Sequence, residues 1–213
     1  MRADLGLEPA GRMQAPREAV LIPREAPGAG RVLALLGLLY AIFGATCLIY
    51  GTFIVTTLVE EYAFGEGTAG MFWSWVGFFS IFSGVGFGAL SDRIGRKWGL
   101  MAVFILQTAA YGLAGSGFGP WAMFVSVVLY GLGMFAIPTI LAAAVGDYLG
   151  LSRAAAFSLL TFCFAIGQPL GPSGAGMLGQ SLGGFAPAYL LSAASTALAA
   201  LLTGLLPKPA EPH

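Results

Sequence analysis

Gly88-Ala89-Leu90-Ser91-Asp92-Arg93-Ile94-Gly95-Arg96-Lys97 puts four charges and two glycines into ten residues of a chain that is otherwise mostly hydrocarbon. Long apolar runs lie on either side of it. Three cations in one short loop between two such runs fix that loop to one face of a bilayer, and the rest of the chain can be threaded outward from it.

The 213 residues are 57% apolar and 9% charged, with 32 glycines. A soluble domain carries about 25% charged residues. The apolar residues come in stretches close to the roughly 20 residues that a helix needs to cross a bilayer. Six are legible: Val32–Leu58, Thr68–Leu90, Trp98–Ala114 (extendable to Phe118), Trp121–Ala144, Ala154–Leu178 and Pro187–Leu206. None alternates like a barrel strand, and helices satisfy their own backbone in lipid. The expected fold is all-α, with residues 1–31 as a polar cytoplasmic segment, 32–206 as a six-helix bundle and 207–213 as a cytoplasmic tail.

The cations test that threading. Arg2, Arg12, Arg17, Arg24 and Arg31 precede the first span; Arg93, Arg96 and Lys97 follow the second; Arg153 follows the fourth; and Lys208 follows the sixth. The three opposite connections hold no Lys or Arg, only Glu60, Glu61 and Glu66. All ten Lys and Arg residues on one side predict cytoplasmic termini in a plasma membrane, the inner membrane if the cell is bacterial. Net charge near zero therefore hides a polarised molecule. It gives no reason to expect nucleic acid as a partner; the bilayer itself, with its anionic headgroups, is the partner of the basic side. Residues 1–31 have no apolar core of the secretory-signal kind.

Pairs of small residues four apart predict close helix approach at Gly84/Gly88, Gly112/Ser116 and Gly167/Gly171. Gly65, Ala69, Phe72, Phe79, Ile81 and Gly86 match Gly150, Ala154, Phe157, Phe164, Ile166 and Gly171 at an offset of 85. That offset equals three spans, and an odd number inverts the second copy, so the six helices read as a 3+3 inverted repeat.

Chemistry of the enzymatic kind finds little footing. The one histidine is His213, so no imidazole base or metal ligand is expected inside the bundle, and neither metal nor cofactor is expected. Cys47 and Cys163 lie mid-span, far from any CxxC spacing, and read as small packing residues. No span carries an interior charge, so Glu60 and Glu61 at the outer end of the first helix are the candidates for proton coupling. Gln107, Thr108 and Tyr111 on the third span should bond to neighbouring helices.

Within the decapeptide, Gly88 lets the second helix end close to a neighbour. Gly95 permits the turn. Asp92, disfavoured at a helix C-terminus, should seek Arg93, Arg96 or the start of the fifth helix near Ala154. Asp147, with Arg153 beside it after the fourth span, can pair with Arg93 or Arg96.

The pattern G-x-L-x-D-R-x-G-R-K resembles the signature between the second and third helices of each half of the major facilitator superfamily. Val59-Glu60-Glu61, Ala144-Val145-Gly146-Asp147-Tyr148 and the Gly167-Gln168/Gly171-Pro172 stretch are similar to the second half of its YbfB-type bacterial branch. The resemblance implies secondary transport of a small solute by rocker-switch alternating access. It also implies a conformational latch at Gly88, Asp92, Arg93, Gly95, Arg96, Lys97, Asp147 and Arg153. The Gly167-Gln168-Pro169-Leu170-Gly171-Pro172 run is similar to the superfamily's Gly-Pro motif, and its prolines suit a helix pivot.

In such halves the first and fourth helices line the central cavity. The corresponding faces here are Phe43, Thr46, Tyr50, Phe53 and Thr57, and Tyr130, Met134, Ile137 and Leu141 with Pro138 kinking the helix beside them. Either stripe would serve equally as helix packing. Because superfamily transporters join two six-helix halves, the expected partner is a separately encoded first half or a second copy of the chain. A truncated product is the third possibility, and a non-transporting fragment or scaffold the competing function.

Overall fold

The computed structural model describes residues 28–149 and 153–207; the side chains of Leu149 and Arg153 lie outside that description. Arg2, Arg12, Arg17, Arg24, Lys208 and the Gly150 end of the repeat also fall outside it, as do most of the 1–31 segment and nearly all of the 207–213 tail. Among the described residues there is no strand. Seven helices form six candidate spans: α1 (Ala29–Glu60), α2 (Glu66–Ile94), α3 (Arg96–Gly115), α4 (Pro120–Met134), α5 (Ala136–Leu149), α6 (Arg153–Leu182) and α7 (Ala186–Thr203).

The helix limits follow from local chemistry. Gly95 at φ +92° stops α2 and opens α3, a backbone conformation closed to most side chains. Prolines in the first turn of α4 and α7 sit where no helical N–H partner is needed. The third span ends at Gly115 and does not reach Phe118.

The fourth span, expected as one helix, is two. It breaks at Phe135, between α4 and α5. Pro138 explains the position. It has no N–H to give the Met134 carbonyl four residues back, and its ring crowds that carbonyl. Separately, the Phe135 N–H donates to Ser83 Oγ of α2, at 3.0 Å, and to the Gly133 carbonyl.

α1 packs along α6 and α7, α3 lies against α7 and α4, and α2 against α4 and α5. Between apolar helices in lipid, close packing and hydrogen bonds replace the hydrophobic drive. The α1/α6 seam shows the packing. A Cβ at Gly44 would lie 2.5 Å from the Phe164 carbonyl oxygen, and Cβ atoms at Gly167 and Gly171 would overlap the carbonyl oxygens of Ala41 and Ala45. Gly84 and Gly88 of α2 face Thr139 of α5. The third expected pair is not a contact at Gly112, which has open space around it; the close approach falls at Gly115, against Ala186 and Leu190 of α7. α2 and α6 are the least enclosed spans, with 17% and 22% of their most apolar stretch buried against 39–50% elsewhere.

Candidate functional site

The decapeptide forms a clasp at the basic end of the bundle. Arg96, first residue of α3, donates through Nε to Asp147 Oδ2 at 2.7 Å, through a terminal nitrogen to Asp92 Oδ1, and through that same nitrogen to Ser91 Oγ at 2.8 Å. Both carboxylates therefore choose Arg96, not Arg93, which is exposed and pairs with neither. Asp92 lies at the negative end of α2 and Arg96 at the positive end of α3, each opposed to its own helix dipole. Their mutual attraction offsets two local penalties, and Asp147 brings the end of α5 into the pair.

Lys97 extends the clasp to a fourth helix. Its ammonium donates to the Gly204 and Leu206 carbonyls, at 2.5 and 3.2 Å, just past the end of α7. Those carbonyls have no intrahelical donors of their own. Tyr148 adds a bond to the Pro207 carbonyl at 3.0 Å. Gly88 allows the approach of α2 to α5, with a Cβ there 3.3 Å from Thr139 Cγ2. The expected role of Arg153 lies outside the described residues.

At the opposite, acidic end, Glu60 and Glu61 are exposed. Glu61 Oε1 accepts the Phe185 N–H at 2.8 Å. This places a carboxylate at the start of α7, where the helix dipole favours it. Burial and the Glu61 carboxylate next to it push the Tyr62 phenol above its ordinary value.

The aromatic stripes meet in the packed interior. Phe43, Thr46, Tyr50 and Thr57 of α1, Tyr130 of α4, and Ile137 and Leu141 of α5 are all buried; Phe53 and Met134 are half-buried. Tyr50 stacks on Tyr130 with centroids 4.1 Å apart. Ser126 gives its hydroxyl proton to the Ala110 carbonyl (2.7 Å), so the Tyr50 O–H donates to Ser126 Oγ (2.7 Å). Tyr130 donates to the Cys47 carbonyl (2.9 Å) and lies 3.2 Å from Cys47 Sγ. Thr57 and Tyr189 share a bond of 2.9 Å between α1 and α7. Phe53 stacks on Phe185. Most of these side chains are thus packed against protein, with Phe53 and Met134 half-buried.

An open cleft of about 280 Å³ lies beside them, between α1, α6 and α7. Ile42, Thr46, Ile49, Leu170, Gly174 and Leu191 are among its walls, and Thr46 is the one member of the α1 stripe that reaches it. Its hydroxyl is tied to the Ile42 carbonyl at 2.9 Å. On α6, helix runs unbroken through Pro169 and Pro172, with Gly167 and Gly171 buried against α1 and Gln168 half-buried.

On α3, Thr108 does bond across the bundle, to Thr196 of α7 at 3.0 Å. Gln107, expected to do the same, has no partner for its side-chain polar atoms among the described residues, while the Tyr111 hydroxyl lies beside Thr46 of α1. The ties missed altogether include Lys97 to the end of α7, Glu61 to its start, Tyr148 to Pro207, and Ser83 to Phe135. Pro138 announced a Met134 carbonyl without its helical donor, but nothing in the order of residues said that Ser83 would accept the neighbouring Phe135 N–H.

Six apolar spans with their charged side chains gathered at the helix ends are those of an integral membrane protein. The chain belongs to the major facilitator family described as uncharacterised MFS-type transporter YbfB, whose model matches residues 10–204. No curated protein matches it.

Proposed function

We propose that the chain carries out its part of secondary active transport of a small solute by rocker-switch alternating access, as the second six-helix half of a twelve-helix assembly. The observation that carries this reading is the Asp92–Arg96–Asp147 clasp. It joins the α2–α3 turn to the end of α5 through partly exposed ion pairs, weak enough to open and directional enough to define a closed state. The basic end is the cytoplasmic end of an inner-membrane protein on this reading, and the clasp holds that side shut. The Gly167–Pro172 run of α6 is the pivot, and Glu60 and Glu61 are the groups that coupling protons would meet first.

The sparse burial of α2 and α6 supports both the assembly and the repeat. They are the helices equated by the offset of 85, and their open faces would meet a first six-helix half or a second copy of the chain. Aromatic side chains such as Trp73, Phe78 and Phe82 on α2 and Phe162 on α6 populate those faces.

The test is a solute panel. Cells expressing the chain, alone and with a first-half partner encoded beside it, are compared with cells expressing Asp92→Asn or Arg96→Gln. A solute whose distribution changes with the parent and returns to background with both variants supports the reading. Identical behaviour of parent and variants at equal membrane abundance removes the clasp from the mechanism and favours a non-transporting scaffold.

A further inference from the structure

The open cleft between α1, α6 and α7 has a chemistry of its own. Thr46, Ser192 and Ser195 are the polar side chains in its walls. Each hydroxyl donates one turn back along its own helix, to the Ile42 carbonyl at 2.9 Å, the Ala188 carbonyl at 2.8 Å and the Leu191 carbonyl at 2.8 Å. Among the described residues no charged side chain lines the cleft. A polar solute would give up its water there with nothing in return. A hydrocarbon chain loses nothing. At about 280 Å³ the space falls just short of the pockets of about 300–1,000 Å³ that enclose drug-sized ligands, and it suits a stretch of chain.

The cleft also has a direction. The turn at 183–185 joins α6 to α7 at the acidic end. There Phe185 stacks on Phe53 with centroids 4.3 Å apart, and a Cβ at Gly179 would come within 2.6 Å of the Phe185 ring. That aromatic contact closes the gap on the acidic side. Away from it, α6 and α7 are held more by α1 than by each other. Leu170 and Leu191, 66% and 57% exposed, form the lips. On α1, Arg31, Leu35, Leu38, Ile42, Ala45 and Ile49 recur at steps of four and three, so one helix face runs from the cleft down to the basic end. Ile42, Ala45 and Ile49 are cleft walls, and Leu38 and Arg31 below them are exposed.

We infer that the cleft takes the end of an acyl chain of an anionic phospholipid whose headgroup sits at Arg31. The depth matches. About 16 Å of helix separates Arg31 from Ile42, and one leaflet of a roughly 30 Å hydrocarbon core is about that deep. A lipid with its phosphate beside Arg31 therefore lays its chain along Leu35 and Leu38 and delivers the chain end to the cleft. The charge matches as well. Arg31 stands next to Val32, where the apolar run begins, and a guanidinium offers two parallel N–H groups to two phosphate oxygens. The inference stands on the spans and the cleft alone, whatever solute the chain carries.

Photo-crosslinking tests it. The purified 213-residue chain in phosphatidylcholine nanodiscs is irradiated with a trace of phosphatidylglycerol bearing a diazirine near the end of one acyl chain, or with phosphatidylcholine bearing the same group. Labelled residues are mapped by mass spectrometry. Phosphatidylglycerol should label residues 170–178 of α6 and 191–195 of α7 about five-fold more than phosphatidylcholine does, the worth of one cation beside an anionic lipid. Arg31→Gln should erase that ratio. Ile81 and Val85, midway along α2 and 68% and 79% exposed, should take label from both lipids alike. Gly174→Leu should clear the label from α7 by filling the cleft, since a Cβ there meets nothing within 4 Å. Equal labelling of the cleft by the two lipids overturns the inference. So does cleft labelling by phosphatidylglycerol no stronger than that of Ile81 and Val85. Should Gly174→Leu fail to fold, the ratio between the two lipids in the parent decides alone.

Discussion

Arg96 Nε lies 2.7 Å from Asp147 Oδ2, across 51 residues of chain, so the first residue of α3 is held by an acid near the end of α5. The same guanidinium holds Asp92 on the last turns of α2. One planar cation with several donors can serve two carboxylates at once, which an ammonium cannot do in the same geometry.

Arg96→Lys should therefore behave nearly like Arg96→Gln. The carboxylates are 61% and 42% exposed, so each pair is worth about 0–1 kcal/mol. A double-mutant cycle of Arg96→Gln with Asp147→Asn, read by thermal unfolding in detergent, should give a coupling in that range with unchanged membrane insertion. A coupling of several kcal/mol would make the clasp a structural fixture, not a device that opens.

The α6 glycines invite a sharper substitution. Gly167→Ala and Gly171→Ala each drive a methyl into an α1 carbonyl oxygen, where only backbone movement relieves the clash. Overpacking of this kind costs about 1–3 kcal/mol. Gly77→Ala and Gly86→Ala on α2 add a methyl in open space and should leave the thermal midpoint unchanged or slightly raised. Equal effects at all four positions would mean that the α1/α6 seam yields easily.

The break in the fourth span gives a third contrast. Ser83→Ala removes the side-chain acceptor of the Phe135 N–H, leaves it the Gly133 carbonyl, and should cost about 0.5–1.5 kcal/mol. Pro138→Ala restores a donor for the Met134 carbonyl, and hydrogen exchange across residues 135–138 should slow as α4 and α5 join. Unchanged exchange would assign the break to tertiary packing instead of to the proline.

What the order of residues discloses here is governed by the solvent. Lipid demands long apolar helices, so all six spans were legible, and so was Gly95, whose positive φ follows from its lack of a side chain. The acid–base chemistry of the loop was legible as well, though which arginine would take both acids was not, because that depends on where α5 ends in space. The aromatic stripes show the opposite limit. Regular spacing puts Phe43, Tyr50 and Thr57 on one face, yet a face turned to a cavity and a face turned to other helices have the same spacing. Backbone groups that need a partner, such as Phe135 N–H and the carbonyls past α7, are silent in sequence, and the side chains that serve them are known only once the helices are placed.

Side of the membrane is the last expectation open to direct measurement. Arg93, Arg96, Lys97 and the ends of α5 and α7 lie at one end of the bundle; Glu60, Glu61 and the start of α7 lie at the other. Arg93→Cys, exposed at the basic end, should resist a membrane-impermeant maleimide in intact cells and react once the membrane is opened. Ala63→Cys and Glu66→Cys, exposed in and beside the acidic loop, should react at once. The parent chain sets the background, with Cys47 buried and Cys163 half-buried inside spans. Arg93→Cys labelled from outside would invert the molecule, and the clasp would then face the exterior and could not seal the cytoplasmic side.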